Sequence, residues 1–454
     1  MPVLPSNPYR QILARRFPEP FIALLAFVLG VWIWDHYFGP KAGYEPGSDQ
    51  IALVKFDRDV RLAEAMSGDS PWLRKLVGVQ PPEEVKRKGI EALQLLARDK
   101  SLGTDGVEAL VIAIAERDRL PMLETLRQTA AGLQGADFPQ PYEALVGKML
   151  AGDGRWWERS LARTYAPERP TAAGLDDAIV VFDRGSAVLR QRAIIGRCAV
   201  WLMVCVGTLF LPAALPRLAG LRKWEGGGYA SRWSASLGIV VFLVSTLAWI
   251  GFTLSMRAGL AAVRDVPNWM ILALDTAMRL LPAAIAIGWL FRRPGHAARV
   301  LGLNRPPVWS VVFGGFALVG WVNELLLPWL KRFSPPDPTG GLGFGEEGLW
   351  GLTFAVVSAC LVAPVAEELL YRGVLFRSLA NRMGVWGAAL LSAFVFALVH
   401  FYDLYGLASV ATFGFTCAIA YAATRNLPTA ILLHLLYNTA VKLPEWLVYH
   451  SNLH

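Results

Sequence analysis

Residues 349–370 read Leu-Trp-Gly-Leu-Thr-Phe-Ala-Val-Val-Ser-Ala-Cys-Leu-Val-Ala-Pro-Val-Ala-Glu-Glu-Leu-Leu, an apolar run long enough to cross a bilayer that ends on two adjacent carboxylates. Hydrocarbon satisfies no polar group, so a span of this kind has to be helical and its ionisable residues need a reason. Working outward, comparable runs lie at about 198 to 215, 237 to 256, 269 to 291, 308 to 330, 384 to 401, 406 to 423 and 428 to 443, with a shorter one from Phe21 to Trp34. The expectation is an all-α polytopic transmembrane helix bundle of about nine spans. Composition points the same way. Hydrophobic residues make up 54% of the 454, and the mean hydropathy of +0.39 is too high for an ordinary soluble enzyme.

The formal charge of +8 raises the question of nucleic acid, but lysines and arginines fall largely between apolar runs, where the positive-inside bias puts them. No nucleic-acid partner is expected. Arg217, Arg222, Lys223 and Arg232 share one loop, Arg292, Arg293, Arg299 and Arg305 a second, and Arg372, Arg377 and Arg382 a third. These alternate loops belong to the cytoplasmic side. The N-terminus is then inside, residues 39–191 and the C-terminus are outside, and Lys331 and Arg332 stand against the rule. Cys198, Cys205, Cys360 and Cys417 all lie in apolar stretches without CxxC spacing, which fits small buried hydrophobes rather than disulfides or thiolate ligands to zinc.

Four regions follow. Residues 1–38 form an N-terminal tail and a signal-anchor span: Arg10, Arg15 and Arg16 precede the run, Tyr37 and Phe38 follow it, and there is no small-x-small cleavage site. Residues 39–191 form a soluble, mainly helical extramembrane domain inserted after that first span, with 3.6-residue periodicity over Glu83–Asp99, Gly106–Asp118 and Tyr142–Leu150. Glu-Ala-Leu recurs after Ile90, Val107 and Tyr142, and Trp156 and Trp157 read as core. No chemistry is recognisable there, which leaves a protein partner as its role. Residues 192–299 supply additional transmembrane helices, and residues 300–454 hold the functional core.

In that core, Glu367, Glu368, His400 and His434 lie inside apolar helices. One buried histidine is ordinarily a packing residue, but two with adjacent carboxylates in neighbouring spans point to a site. Glu368 and Arg372, four apart, share a helix face, whereas Glu367 points about 100° away and is the freer carboxylate, suited to general-base work. The turn Asn381-Arg-Met-Gly384 lies almost midway between Glu367 and His400, so an antiparallel fold brings them to one level. His434 and Asn438, also four apart, present an imidazole and an amide on one face, a donor pair suited to an oxyanion. One activated carboxylate, a histidine that holds a water and two oxyanion donors together meet the needs of peptide-bond hydrolysis. Polar residues that merely hold helices together are the alternative.

Three segments carry a resemblance. Glu367-Glu368-Leu-Leu-Tyr-Arg372 is similar to an EExxxR motif, Phe396-Ala-Leu-Val-His400 to FxxxH and His434-Leu-Leu-Tyr-Asn438 to HxxxN. In this order they resemble the CAAX protease and bacteriocin-processing (CPBP) family, which includes type II CAAX prenyl endopeptidases; the likeness covers about residues 300–445. It implies an intramembrane glutamic protease with Glu367 as the water-activating base, His400 its partner, His434 and Asn438 the oxyanion donors, and Glu368 with Arg372 the supporting pair. The substrate implied is a membrane-associated protein or peptide, cut near its end. No cofactor is expected. Zinc is the alternative, because two histidines and a carboxylate are also a ligand set.

A catalytically silent scaffold or bacteriocin-immunity protein on the same fold is the rival reading, and a transporter a third, for which no inverted repeat is visible. The setting implied is a bacterial cytoplasmic membrane. Asp275 and Arg279, four apart in one span, read as mutually neutralising, with substrate contact as the alternative. Glu324 reaches toward the outer interface. Gly226-Gly-Gly228 lacks the context of a phosphate loop and reads as a turn, and the Pro- and Gly-rich stretch 335–345 as a loop before the catalytic span.

Overall fold

The computed structural model describes residues 18–34, 48–98, 102–130, 140–168, 174–223, 233–261, 266–291, 293–333, 337–342 and 348–452. Arg10, Arg15 and Arg16, Tyr37 and Phe38, Gly226-Gly-Gly228 and residues 335–336 and 343–345 of the 335–345 stretch lie outside the described residues. Within them, secondary structure is helical throughout. In chain order the helices are α1 Pro18–Ile33, α2 Ser48–Ala65, α3 Pro71–Val77, α4 Pro82–Arg98, α5 Thr104–Asp118, α6 Met122–Ala130, α7 Tyr142–Leu150, α8 Trp156–Tyr165, α9 Leu175–Thr208 and α10 Leu211–Ala219. They continue with α11 Ala235–Ala261, α12 Asn268–Leu290, α13 Pro294–Leu301, α14 Trp309–Trp321, α15 Gly348–Phe354, α16 Ala363–Glu367, α17 Arg377–Leu398, α18 Leu404–Thr424 and α19 Leu427–Glu445. π-Helical turns occupy Ala355–Val362 and Glu368–Phe376, on either side of α16.

The chain divides into two compact units. One comprises Met1–Gly39, Trp201–Ser334 and Thr353–Lys442; the other comprises Pro40–Val200, Pro335–Leu352 and Leu443–His454.

The second unit is built on a helical core. Leu93, Leu110 and Leu145, the leucines of the three Glu-Ala-Leu echoes, are all buried, because each sits on the inward stripe of its helix. Trp156 and Trp157 are buried among them, and Phe56 meets Trp156 edge-on at 5.4 Å between centroids. A polar network runs through this core. Asp57, fully buried, accepts the Trp156 backbone N–H at 2.7 Å, and Arg61 donates to Ser186 Oγ and to the carbonyls of Gly154 and Phe182. Near the surface Lys86 reaches Glu64 at 3.1 Å and Glu116 at 2.8 Å.

The first unit is the membrane bundle. Among the described residues, four helical stretches are long and apolar enough to cross: Ala235–Met256, Asn268–Leu290, Gly348–Leu398 and Leu404–Thr424. A fifth is α9 with α10, bent by 61°. Glu19–Ile33 and Trp309–Leu325 are shorter apolar helices. This is fewer than the nine apolar runs of the sequence: the two shorter helices fall below the length needed, and two further physical reasons account for the rest. Gly348–Leu398 holds two of those runs in its 51 residues, about 75 Å if straight, and is interrupted at Gly384 (φ 75°, ψ 174°), a conformation open only to glycine. In α19 the polar His434, Asn438 and Lys442 lower the apolarity of the last run.

Local chemistry fixes where the helices turn. Asp403 caps α18, accepting the Gly406 N–H at 2.7 Å. Pro294 opens α13 and Gly302 closes it at φ 74°; a Cβ there would stand 2.2 Å from the Arg425 carbonyl oxygen, so both conformation and space demand glycine. The most extensive packing joins α17 to α18, and α12 packs on α16 and on both flanking π-helical turns.

Candidate active site

The six motif residues come from three places in the bundle. Glu367 ends α16, and Glu368 and Arg372 lie in the π-helical turn that follows it. π-Helical turns widen the ladder by one residue and are frequent at functional sites. His400 follows the end of α17, and His434 and Asn438 lie in α19.

Glu368 is sealed. Its side chain is fully buried, Arg372 Nη1 approaches Oε1 at 2.9 Å as a charge contact, and His434 Nδ1 bonds the same oxygen at 2.9 Å. Arg372, also buried, is held on two further sides. Its Nη2 donates to the Gly414 carbonyl at 2.9 Å, and its guanidinium lies 4.5 Å above the Phe396 ring. Gly414 leaves the space for this, since a Cβ there would meet Phe396 Cδ1 at 3.0 Å and Arg372 Nη2 at 3.1 Å. A buried charge pair of this kind is costly to break, by roughly 3–5 kcal/mol when one partner is removed.

Glu367 is the other kind of carboxylate. A quarter of its side chain is exposed, and Oε2 stands 3.8 Å from His434 Nε2, beyond a direct hydrogen bond but within the span one water can bridge. His434 thus touches both glutamates, one through each ring nitrogen. A carboxylate oxygen can only accept, so Nδ1 carries a proton and Nε2 faces Glu367. The imidazole is boxed edge-on by Phe413 and Phe396, with centroids 4.7 and 5.9 Å away.

His400 is oriented by the same logic. Its Nδ1 lies 2.7 Å from the Phe396 carbonyl, which only accepts, so the neutral ring keeps its lone pair on Nε2. Among the described residues no hydrogen bond or ion pair joins His400 to the Glu367 side chain. Asn438 uses Nδ2 to donate to the Ala359 carbonyl at 2.7 Å, inside the first π-helical turn. One of its two amide hydrogens is committed there.

Sequence reasoning foresaw an i,i+4 contact between Glu368 and Arg372, and the two charges do stand 2.9 Å apart. It did not foresee that His434 bonds Glu368, that Phe396 underlies Arg372, or that Asn438 is tied to Ala359. Phe396 opens a motif already noticed, and its place one turn before His400 was a signal that the ring belongs to the site. Asp275 and Arg279 pair at 2.9 Å, and Ser358 donates a hydrogen bond to the same Asp275 oxygen. As for a metal, among the described residues no three His, Cys, Asp or Glu side chains converge closely enough to hold an ion.

Residues 349–440 match the family model described as "Type II CAAX prenyl endopeptidase Rce1-like". This segment, which contains every residue of the site, is therefore similar to that endopeptidase family. Over 86 residues, 19% of this chain and 35% of the other, the sequence is 34% identical to "Putative membrane peptidase YdiL" of Bacillus subtilis (strain 168). The chain thus spans about a third of the length of the curated relative it matches. No solved structure matches it. The apolar helices and these likenesses support an integral membrane protein whose 349–440 segment resembles a peptidase family.

Proposed function

We propose that the protein is an intramembrane endopeptidase that hydrolyses a peptide bond near the end of a membrane-associated protein or peptide, with Glu367 activating the attacking water. The observation that supports this best is the division of labour between adjacent carboxylates. Glu368 is buried and spent on Arg372 and His434, whereas Glu367 is partly exposed, has no Lys or Arg at bonding distance among the described residues, and holds Oε2 3.8 Å from His434 Nε2. A scaffold needs the first carboxylate. Only chemistry needs the second.

The reaction follows from the polarity of each atom. Water held by Glu367, with its second hydrogen on His400 Nε2, loses a proton to the Glu367 carboxylate and adds to the scissile carbonyl carbon. The tetrahedral oxyanion is met by the remaining Asn438 Nδ2 hydrogen and by His434 Nε2 in the form that carries both ring protons, with Nδ1–H still on Glu368. As the C–N bond breaks, the proton on Glu367 passes to the leaving amine. Water is consumed, no cofactor is needed, and the mechanism routes no step through a metal. The site belongs in a cytoplasmic membrane of the bacterial kind with the N-terminus inside, and the helical domain 39–191 is free to engage a protein partner.

The test is a panel of apolar-tailed peptides offered to the purified protein in detergent, with fragments read by mass spectrometry. Cleavage by the unaltered protein and none by Glu367→Gln is the expected result. Equal fragment yields from both would refute the proposed base.

A further inference from the structure

One charged group inside the membrane bundle is not absorbed by this mechanism. Arg279 is the twelfth residue of the 23-residue helix α12, so about 16 Å of helix separates it from either end. A third of its side chain is exposed. Asp275 takes only Nε, at 2.9 Å, and among the described residues no acceptor occupies Nη1 or Nη2. A guanidinium whose two terminal nitrogens are open at the middle of a helix long enough to cross a bilayer is an incomplete ion pair, and its planar fork matches a carboxylate.

Its anchoring ties it to the site. Asp275 also accepts from Ser358, which is buried in the π-helical turn Ala355–Val362, and the next residue, Ala359, receives Asn438. The helix carrying Arg279 packs on that turn and on α16, whose last residue is Glu367. Ser358 precedes Glu367 by two to three helical turns, roughly 13 Å. An extended peptide covers that distance in about four residues.

We propose that Arg279 is a substrate-binding residue that receives the free C-terminal carboxylate of an apolar peptide tail lying alongside Glu367, with Asp275 and Ser358 holding the guanidinium in place. The proposal rests on the peptidase reading for its substrate class. Its chemistry is carboxylate recognition. A lipid phosphate offers similar chemistry, but the interface lies further from mid-helix than an arginine side chain extends.

The experiment uses two ten-residue apolar peptides, identical except that one ends in a free carboxylate and the other in an amide. Binding to Glu367→Gln protein, which does not turn the peptides over, is followed by fluorescence anisotropy in a phosphate-free maltoside detergent and again in phosphatidylcholine nanodiscs. The free acid should bind about 10-fold or more tightly than the amide in both media, as loss of a charge-assisted bidentate contact requires. Adding Arg279→Gln should abolish the difference, and adding Arg279→Lys should leave part of it. Equal affinities with Arg279 present, including no binding of either peptide, overturn the proposal, as does an acid preference that survives Arg279→Gln. Phospholipid retained through Arg279 with no acid preference would assign the fork to lipid phosphate and overturn it too. If Arg279→Gln fails to fold, as judged by thermal unfolding, Arg279→Lys decides: an unchanged acid preference contradicts the bidentate contact. Failure of the peptidase reading registers separately, as acid-selective binding by protein with Glu367 intact that cleaves neither peptide.

Discussion

Two carboxylates one residue apart have opposite surroundings here, and their substitutions should differ accordingly. Glu367 is partly exposed and its nearest charged neighbour, His434, stands beyond hydrogen-bond distance at 3.8 Å, so Glu367→Gln is expected to leave the unfolding temperature near that of the unaltered protein while activity disappears. Glu368→Gln strands the buried Arg372 guanidinium and one His434 nitrogen, and should destabilise the bundle by roughly 3–5 kcal/mol, with activity lost as well. Thermal unfolding in detergent separates the two, and similar large losses of stability in both would refute the division of labour. Asn438→Ala should lower kcat by about 10²-fold with little change in KM, as loss of an oxyanion donor does. An effect on KM alone would move Asn438 to substrate contact. The spacing of these residues in the sequence was enough to nominate them, because i,i+4 on a helix is a geometric statement. Which partner each would choose was not legible: His434 bonds Glu368 across 66 positions of chain, and no local pattern encodes that.

At the scale of elements, the sequence conveyed three helices of the 39–191 region and did not mark out α2, α3, α6 and α8. The periodicity over Glu83–Asp99 corresponds to α4, that over Gly106–Asp118 to α5 and that over Tyr142–Leu150 to α7, because an amphipathic stripe declares both period and buried face. The π-helical turns around α16 escaped it, since one extra residue in a turn leaves no mark in the apolar pattern of so short a segment. Two consequences are testable here. Gly414→Ala forces Phe396 or Arg372 to shift by a few tenths of an ångström and should reduce activity more than stability, measured as kcat against unfolding temperature. In the helical unit, burial by itself would raise the Glu64 carboxyl, but Arg159 and Lys86 hold it below the ordinary carboxylate range. A depressed folded-state value means stability that is present above the unfolded pKa and lost as pH falls through the folded one. Unfolding of the unaltered protein and of Glu64→Gln should therefore differ at neutral pH and converge in strong acid; a difference that persists there would contradict the pairing.

For the whole molecule, the composition and the apolar runs established an all-helical membrane protein before any coordinate, because hydrocarbon permits few alternatives. The number of crossings was less legible. Apolar run length does not distinguish a crossing helix from a shorter one or from half of a bent pair, as α9 with α10 and the stretch interrupted at Gly384 illustrate. The expectation that no metal is required also belongs to this scale. Protein as purified should contain no stoichiometric zinc, and a strong chelator followed by dialysis should leave peptide cleavage unchanged. Zinc at one per chain, with activity lost on removal and restored on return, would make His400 and His434 ligands instead.

The central claim is that the freer carboxylate performs hydrolysis, and one measurement addresses it most directly. Unaltered protein and Glu367→Gln, both shown to be folded, are incubated with the same apolar-tailed peptides in water enriched in oxygen-18, and the fragments are analysed by mass spectrometry. The account predicts a new carboxyl terminus carrying one heavy oxygen from the unaltered protein and no fragment from Glu367→Gln. The same labelled fragment in equal yield from Glu367→Gln would contradict it.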